Sequence, residues 1–132
     1  MTNIQYLNVD LDLESENDIS QIVGAFGEYV IVLHHGKLHN YHHASFETTN
    51  EMLTADEAIN YFCGLVEALP HDVRVIWDSC HKRVLDIGHE SGTSPSNFRS
   101  ELKPTTLQRV AAIGATIIIT IYPVPKNPDA ND

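Results

Sequence analysis

Five of the chain's eight histidines fall within ten positions: His34, His35, His39, His42 and His43, in the stretch "VIVLHHGKLHNYHHASFETT". Imidazole is a common metal ligand and titrates near neutrality. Three readings follow: a metal centre, a catalytic centre, or the wet face of a hairpin. Taking Gly36-Lys37 as a two-residue type II′ turn pairs His35 with Leu38, His34 with His39, Val32 with Tyr41 and Val30 with His43. Side chains alternate along a strand, so Val30, Val32, His34, His39, Tyr41 and His43 share one face with Ser45 and Glu47. Ile31, Leu33, Ala44 and Phe46 take the other, as core. Only His34 and His39 are then direct neighbours, with Cβ atoms about 5 Å apart. His39 and His43, on one strand, stand about 13 Å apart. Zinc takes three or four ligands, so a metal site would need a carboxylate from Asp10, Asp12 or Glu14; the alternative set is His34, His39 and Asp12 with zinc. One extra residue in the turn would regroup all of these.

Other chemistry is thin. The chain has no GxSxG, no HExxH, no glycine-rich phosphate loop and no CxxC. Asp78 and His81 read as a solvated i, i+3 pair on a helix. Cys80 and His81 are adjacent and so diverge on a helix, against a Cys-His nucleophile. Asp10, Asp12 and Glu14, with Asp86 and Glu90, could pair for general acid–base work, but strand exposure accounts for them equally. No catalytic residue is assigned. Cys63 and Cys80 lie on apolar stripes of expected helices and read as core thiols of a reducing compartment.

Charge is a stronger signal. Eight Lys and Arg stand against 18 Asp and Glu, a net −10. A phosphate backbone would be repelled, which argues against nucleic acid as a ligand; a basic protein fits. Protonating all eight histidines would bring the net charge to about −2, so association or solubility is expected to change near pH 6.

These groups need a scaffold, and 132 residues with 42% hydrophobic content suit one domain over residues 1–124, followed by a flexible Pro-rich tail at 125–132. The longest apolar runs fall short of the roughly 20 residues a bilayer span needs. The start lacks a basic segment followed by an apolar one, so no signal peptide is expected. "NVDLDLESE" alternates as a half-buried strand, with Val9, Leu11 and Leu13 inward and Asp10, Asp12 and Glu14 outward. A helix follows through Ile19, Ile22, Val23 and Phe26, capped by Ser15 or Asn17 and stopped by Gly27. Thr54 and Glu57 form a capping box for a helix running to Leu69. Pro70 opens another through Val73, Ile76, Trp77 and Cys80. "VLDIGHE" and "FRSEL" read as strands around the turn-rich "SGTSPSN". "KPTTLQRVAAIG" reads as a helix, and "ATIIITIY" as a central strand. The order β-α-β-β-α-α-β-β-α-β predicts an α+β two-layer sandwich: one mixed, mostly antiparallel sheet of about six strands with helices on one face.

The stretch "LKPTTLQRVAAIGATIIITIY", with "VDLDLES", "LVEALP", "WD" and "LDIG", resembles a bacterial family of small domains catalogued as a domain of unknown function. Members close with a Ser-Pro-x-x-Leu helix, a glycine stop and an apolar strand ending in Tyr; here Lys103 replaces the Ser. The resemblance implies a cytoplasmic bacterial α+β domain, with some members in toxin-immunity settings, and it supplies no catalytic residues.

A sheet covered on one face leaves the other open. That face is expected to carry Val30, Val32, His34, His39, Tyr41, His43, Asp10, Asp12 and Glu14, with half of "IIITIY": an apolar patch with a polar rim, as docking surfaces have. The first reading is thus a non-enzymatic protein-binding or immunity-like module, homo-oligomeric or bound to a basic protein. The alternative is a metal-binding protein or metal-dependent hydrolase built on the histidine hairpin.

Overall fold

The computed structural model describes residues 2–52, 54–93 and 97–124. The expected tail at 125–132 and part of the expected "SGTSPSN" turn lie outside them. The chain runs β1 (Gln5–Ser15), α1 (Ser20–Phe26), a 3₁₀ turn (Gly27–Tyr29), β2 (Val30–Leu38), β3 (Tyr41–Thr48), α2 (Ala55–Glu67), α3 (His71–Ser79), β4 (Lys82–Glu90), α4 (Pro104–Ala112) and β5 (Thr116–Tyr122). The fold is α+β with one mixed, open sheet in the order β2-β3-β1-β4-β5, antiparallel except for β4 and β5.

The alternation of β1 sets the two faces. Val9, Leu11, Leu13 and Ser15 are buried, while Asp10, Asp12 and Glu14 are half-buried on the opposite side. Directly paired residues share a face. Phe46 and Leu85 flank Leu11, Ala44 flanks Leu13, and Ile87 flanks Val9. These join Ile22, Phe26, Ile59, Phe62, Val66, Trp77 and Val110 from the helices in one apolar cluster. Val84, opposite Asp12, is buried but lies outside that cluster, as its parity requires.

The helices start and stop on local chemistry. Thr54 Oγ1 accepts from the Glu57 amide at 3.1 Å and caps α2, as the Thr-x-x-Glu spacing predicts. For α1 the N-cap is Ile19, without a side-chain cap, and neither Ser15 nor Asn17. Asp18 Oδ1 accepts from the Ser20 amide at 2.8 Å and from its hydroxyl at 2.6 Å, while the buried Ser15 hydroxyl accepts from the Asn17 amide. Pro104 opens α4 in the first turn, where its missing N–H is not needed.

Three expectations change. The sheet has five strands among the described residues, not six: residues 97–103 carry no regular structure, and "FRSEL" instead leads into α4, with the Lys103 amide held by Asp56 Oδ1 at 2.9 Å. "TIIITIY" is an edge strand, not a central one, because α4 carries the chain across to lie parallel beside β4 and, among the described residues, no strand pairs with its other side. The third change concerns the hairpin.

Candidate binding surface

The β2–β3 turn is His39-Asn40, three residues beyond the expected Gly36-Lys37. Both residues have positive φ, 51° and 70°, which a two-residue type I′ turn requires. His and Asn are among the few non-glycine residues enriched in that region. Leu38 pairs with Tyr41, Gly36 with His43 and His34 with Ser45, so His34 and His39 are not neighbours. A register shift between Val32 and His34 makes Leu33 a bulge, and this switches parity within β2. Val30 and Val32 pair with Thr48 and Phe46 and belong to the core side, a correction to the expected outward set. His34 returns to the outer side.

The outer face is built in rows that cross the strands. Glu14 lies between His43 and Lys82, Asp12 between Ser45 and Val84, and Asp10 beside Asp86, which is followed by Ile118. Glu47 pairs with Ile31, Asn8 and Thr120 flank Gly88, and Glu90 stands between Gln5 and Tyr122. Six carboxylates, Asp10, Asp12, Glu14, Glu47, Asp86 and Glu90, thus share the strands of this face with one lysine, Lys82. Ile118 and Tyr122 border them on one side and Tyr41 and Leu38 on the other, all four exposed. The Tyr122 ring lies over Gly88, where a Cβ would meet it at 3.4 Å.

The central carboxylates are oriented by neutral donors. The Ser45 hydroxyl donates to Asp12 at 2.7 Å, the Thr120 hydroxyl to Asp86 at 2.7 Å, and the Asn8 amide to Asp10 at 3.0 Å. Among the described residues no cation pairs with Asp10, Asp12, Asp86 or Glu47. Burial, together with Asp12, Glu47 and Asp86, pushes the Asp10 carboxyl up to about 6.

At the hairpin end, Glu14 is bridged. His81 Nε2 donates to Oε1 at 2.7 Å and His43 Nδ1 stands 3.4 Å from Oε2. The hydrogen bond from His81 holds the Glu14 carboxyl below its usual range. The Tyr41 ring meets His81 edge-on at 4.9 Å, and His34 and His43 lie 6.4 Å apart between ring centroids.

No family model, curated protein or solved structure matches this chain.

Of the residues expected at the surface, His34, Tyr41, His43, Asp10, Asp12 and Glu14 lie on one face, His39 sits in the turn, and Val30 and Val32 lie on the core side. His81, Glu47, Ile118 and Tyr122 complete the face. His81 joins it because α3 ends at Ser79 and releases it from the helix that also holds Asp78. Among the described residues no group of three or more His, Cys, Asp or Glu is placed to hold a metal ion. His34 is separated from Asp12 by the whole width of β3, which leaves the set of His34, His39 and Asp12 apart. Cys63 and Cys80 are free and buried; burial pushes the Cys63 thiol up to about 11 and raises that of Cys80, against a nucleophilic role. No helix among the described residues is long and apolar enough to cross a membrane.

Proposed function

We propose that the protein is a non-enzymatic, immunity-like binding module whose outer sheet face docks a basic protein. In this reading the helices and sheet form a two-layer sandwich, and the uncovered layer is the working surface. The observation that carries it is the unpaired acidic centre: Asp10, Asp12, Asp86 and Glu47 are oriented by neutral donors and lack any cation partner among the described residues. Packing like charges costs stability, and a cationic partner would recover that cost on binding. The flanking Tyr41, Leu38, Ile118 and Tyr122 supply apolar anchors of the kind interfaces use. The bacterial, cytoplasmic setting and a place beside a toxin rest on the family resemblance. The metal-dependent hydrolase alternative gains no supporting observation.

The test is amide chemical-shift mapping with a lysine-rich decapeptide. Shifts concentrated on Asp10, Asp12, Ser45 and Asp86, weakened at high salt and lost in Asp86→Lys, are the expected result. Shifts spread evenly over the surface, or unchanged by Asp86→Lys, would overturn it.

A further inference from the structure

We propose that β5 is a dimerisation edge, and that its occupant is β5 of a second copy of this chain, added antiparallel so that two five-stranded sheets become one of ten. This goes beyond the docking reading and uses the backbone edge and core-side residues of β5, with Ile118 and Tyr122 at the border of the two surfaces.

A free sheet edge offers unpaired backbone donors and acceptors to any extended strand, and soluble proteins blunt such edges with charges, prolines, bulges or breaks. The β2 edge carries these devices: the bulge at Leu33, Gly36, and His34, His35 and Lys37. Thr116–Tyr122 carries none. It keeps an unbroken register with β4 over all seven residues and holds no charged side chain. Ile118, Ile119, Ile121 and Tyr122 are 41%, 63%, 60% and 48% exposed.

The strand is also complementary to itself. A twofold axis perpendicular to the sheet keeps both core faces on one side, so facing residues must have the same parity. Centring that axis on Ile119 of "TIIITIY" pairs all seven residues: Thr116 with Tyr122, Ile117 with Ile121, Ile118 with Thr120, and Ile119 with its own copy. The contact is isologous, and it sets Ile117, Ile119 and Ile121 of both copies in one ladder on the core side. A recess of about 230 Å³ between Ile4, His89, Phe98, Ile119 and Ile121 opens beside that ladder, where Ile117 of the second copy would stand.

Charge favours the same edge. Two chains of net −10 repel, and β5 lets them meet without facing carboxylates. The nearest outer-face acids, Asp86 and Glu90, lie one strand inward. Those of one copy would be at least three strand spacings from those of the other, roughly 14 Å, beyond the screening length of about 8 Å at physiological salt. A standard interface takes roughly 800 Å² from each partner; one strand and its flanks offer less, which places the dimer in the weak class with micromolar dissociation.

The test is sedimentation of the full chain from about 1 to about 200 μM, at about 0.05 and about 0.5 M salt. The expected result is a concentration-dependent shift from 14.7 kDa towards twice that mass, larger at high salt because screening relieves the repulsion. Docking of a basic peptide responds to salt in the opposite sense. Ile119→Lys should leave a folded monomer throughout. Ile119→Cys should be linked into dimers by a short bis-maleimide, and Ile31→Cys on the other edge should not; the native thiols are buried. Asp86→Lys, which removes peptide docking, should not weaken the dimer. A wild-type monomer at the highest concentration, a dimer that survives Ile119→Lys, or linking at Ile31 alone would overturn the proposal. Should Ile119→Lys fail to fold, the linking pattern of the two cysteine variants decides.

Discussion

His81 Nε2 donates a 2.7 Å hydrogen bond to Glu14 Oε1, and so ties the first residue after α3 and its cap to the central strand of the sheet. The backbone repeats the tie, since the His81 amide donates to the Glu14 carbonyl at 3.1 Å. The bond lowers the Glu14 pKa. A depressed carboxylate contributes stability that is present above its unfolded pKa and lost as pH falls through the folded value. Glu14→Gln should therefore cost about 0.5–1 kcal/mol near neutrality, with the difference fading in acid below the usual glutamate range. Urea unfolding of both forms at neutral and acid pH measures it.

Asp10 has the opposite sign. Its pKa is raised to about 6 by burial and by Asp12, Glu47 and Asp86. The ionised form is disfavoured in the fold, so stability is fully present below the unfolded aspartate pKa and is lost as pH rises through about 6. Asp10→Asn should stabilise the protein above that pH by on the order of 1–2 kcal/mol and leave it unchanged in strong acid. Carboxyl ¹³C titration should place the Asp10 midpoint near 6. Binding of a basic peptide should lower it, with proton release seen by calorimetry in buffers of different ionisation enthalpy.

The turn gives a third expectation. His39 and Asn40 both hold positive φ, where glycine meets no Cβ clash. Asn40→Gly should raise stability by roughly 0.5 kcal/mol and His39→Val should lower it by about 1 kcal/mol. Thermal melts of the two variants check both signs.

Arg83 serves four backbone carbonyls. Its guanidinium donates to Gly114 at 2.9 Å, Cys80 at 2.8 Å, Asp78 at 2.9 Å and Trp77 at 3.3 Å. It thereby satisfies the open end of α3 and the turn that enters β5. Lysine lacks the planar fork needed for this. Arg83→Lys should cost about 1–2 kcal/mol in denaturant unfolding, and hydrogen exchange should quicken first in Thr116–Tyr122.

Local chemistry made much of the fold legible. The alternation of Val9, Leu11 and Leu13 with Asp10, Asp12 and Glu14 placed β1 and both its faces, and the Thr54–Glu57 box placed α2. The hairpin register is not legible, because Gly36-Lys37 has stronger turn chemistry than His39-Asn40. The bulge at Leu33 leaves no mark in the composition, yet it reverses the face of Val30 and Val32. In β5 an apolar run on both faces resembles a buried strand, but edge position depends on which strands pair beside it, and the residues of β5 do not encode that. His43 on β3 and His81 just before β4 meet Glu14 from segments far apart in sequence, which pattern reading along one segment cannot see.

The sheet order also dictates a timetable for a chain made from its N-terminus. β1 emerges first, but the neighbour on its second side, β4, follows roughly 75 residues later. At about 5–20 residues per second, that edge of β1 waits several seconds with its backbone donors and acceptors unpaired. During that interval Asp10, Asp12 and Glu14 set like charges along the open edge, which disfavours its pairing with the same strand of another copy.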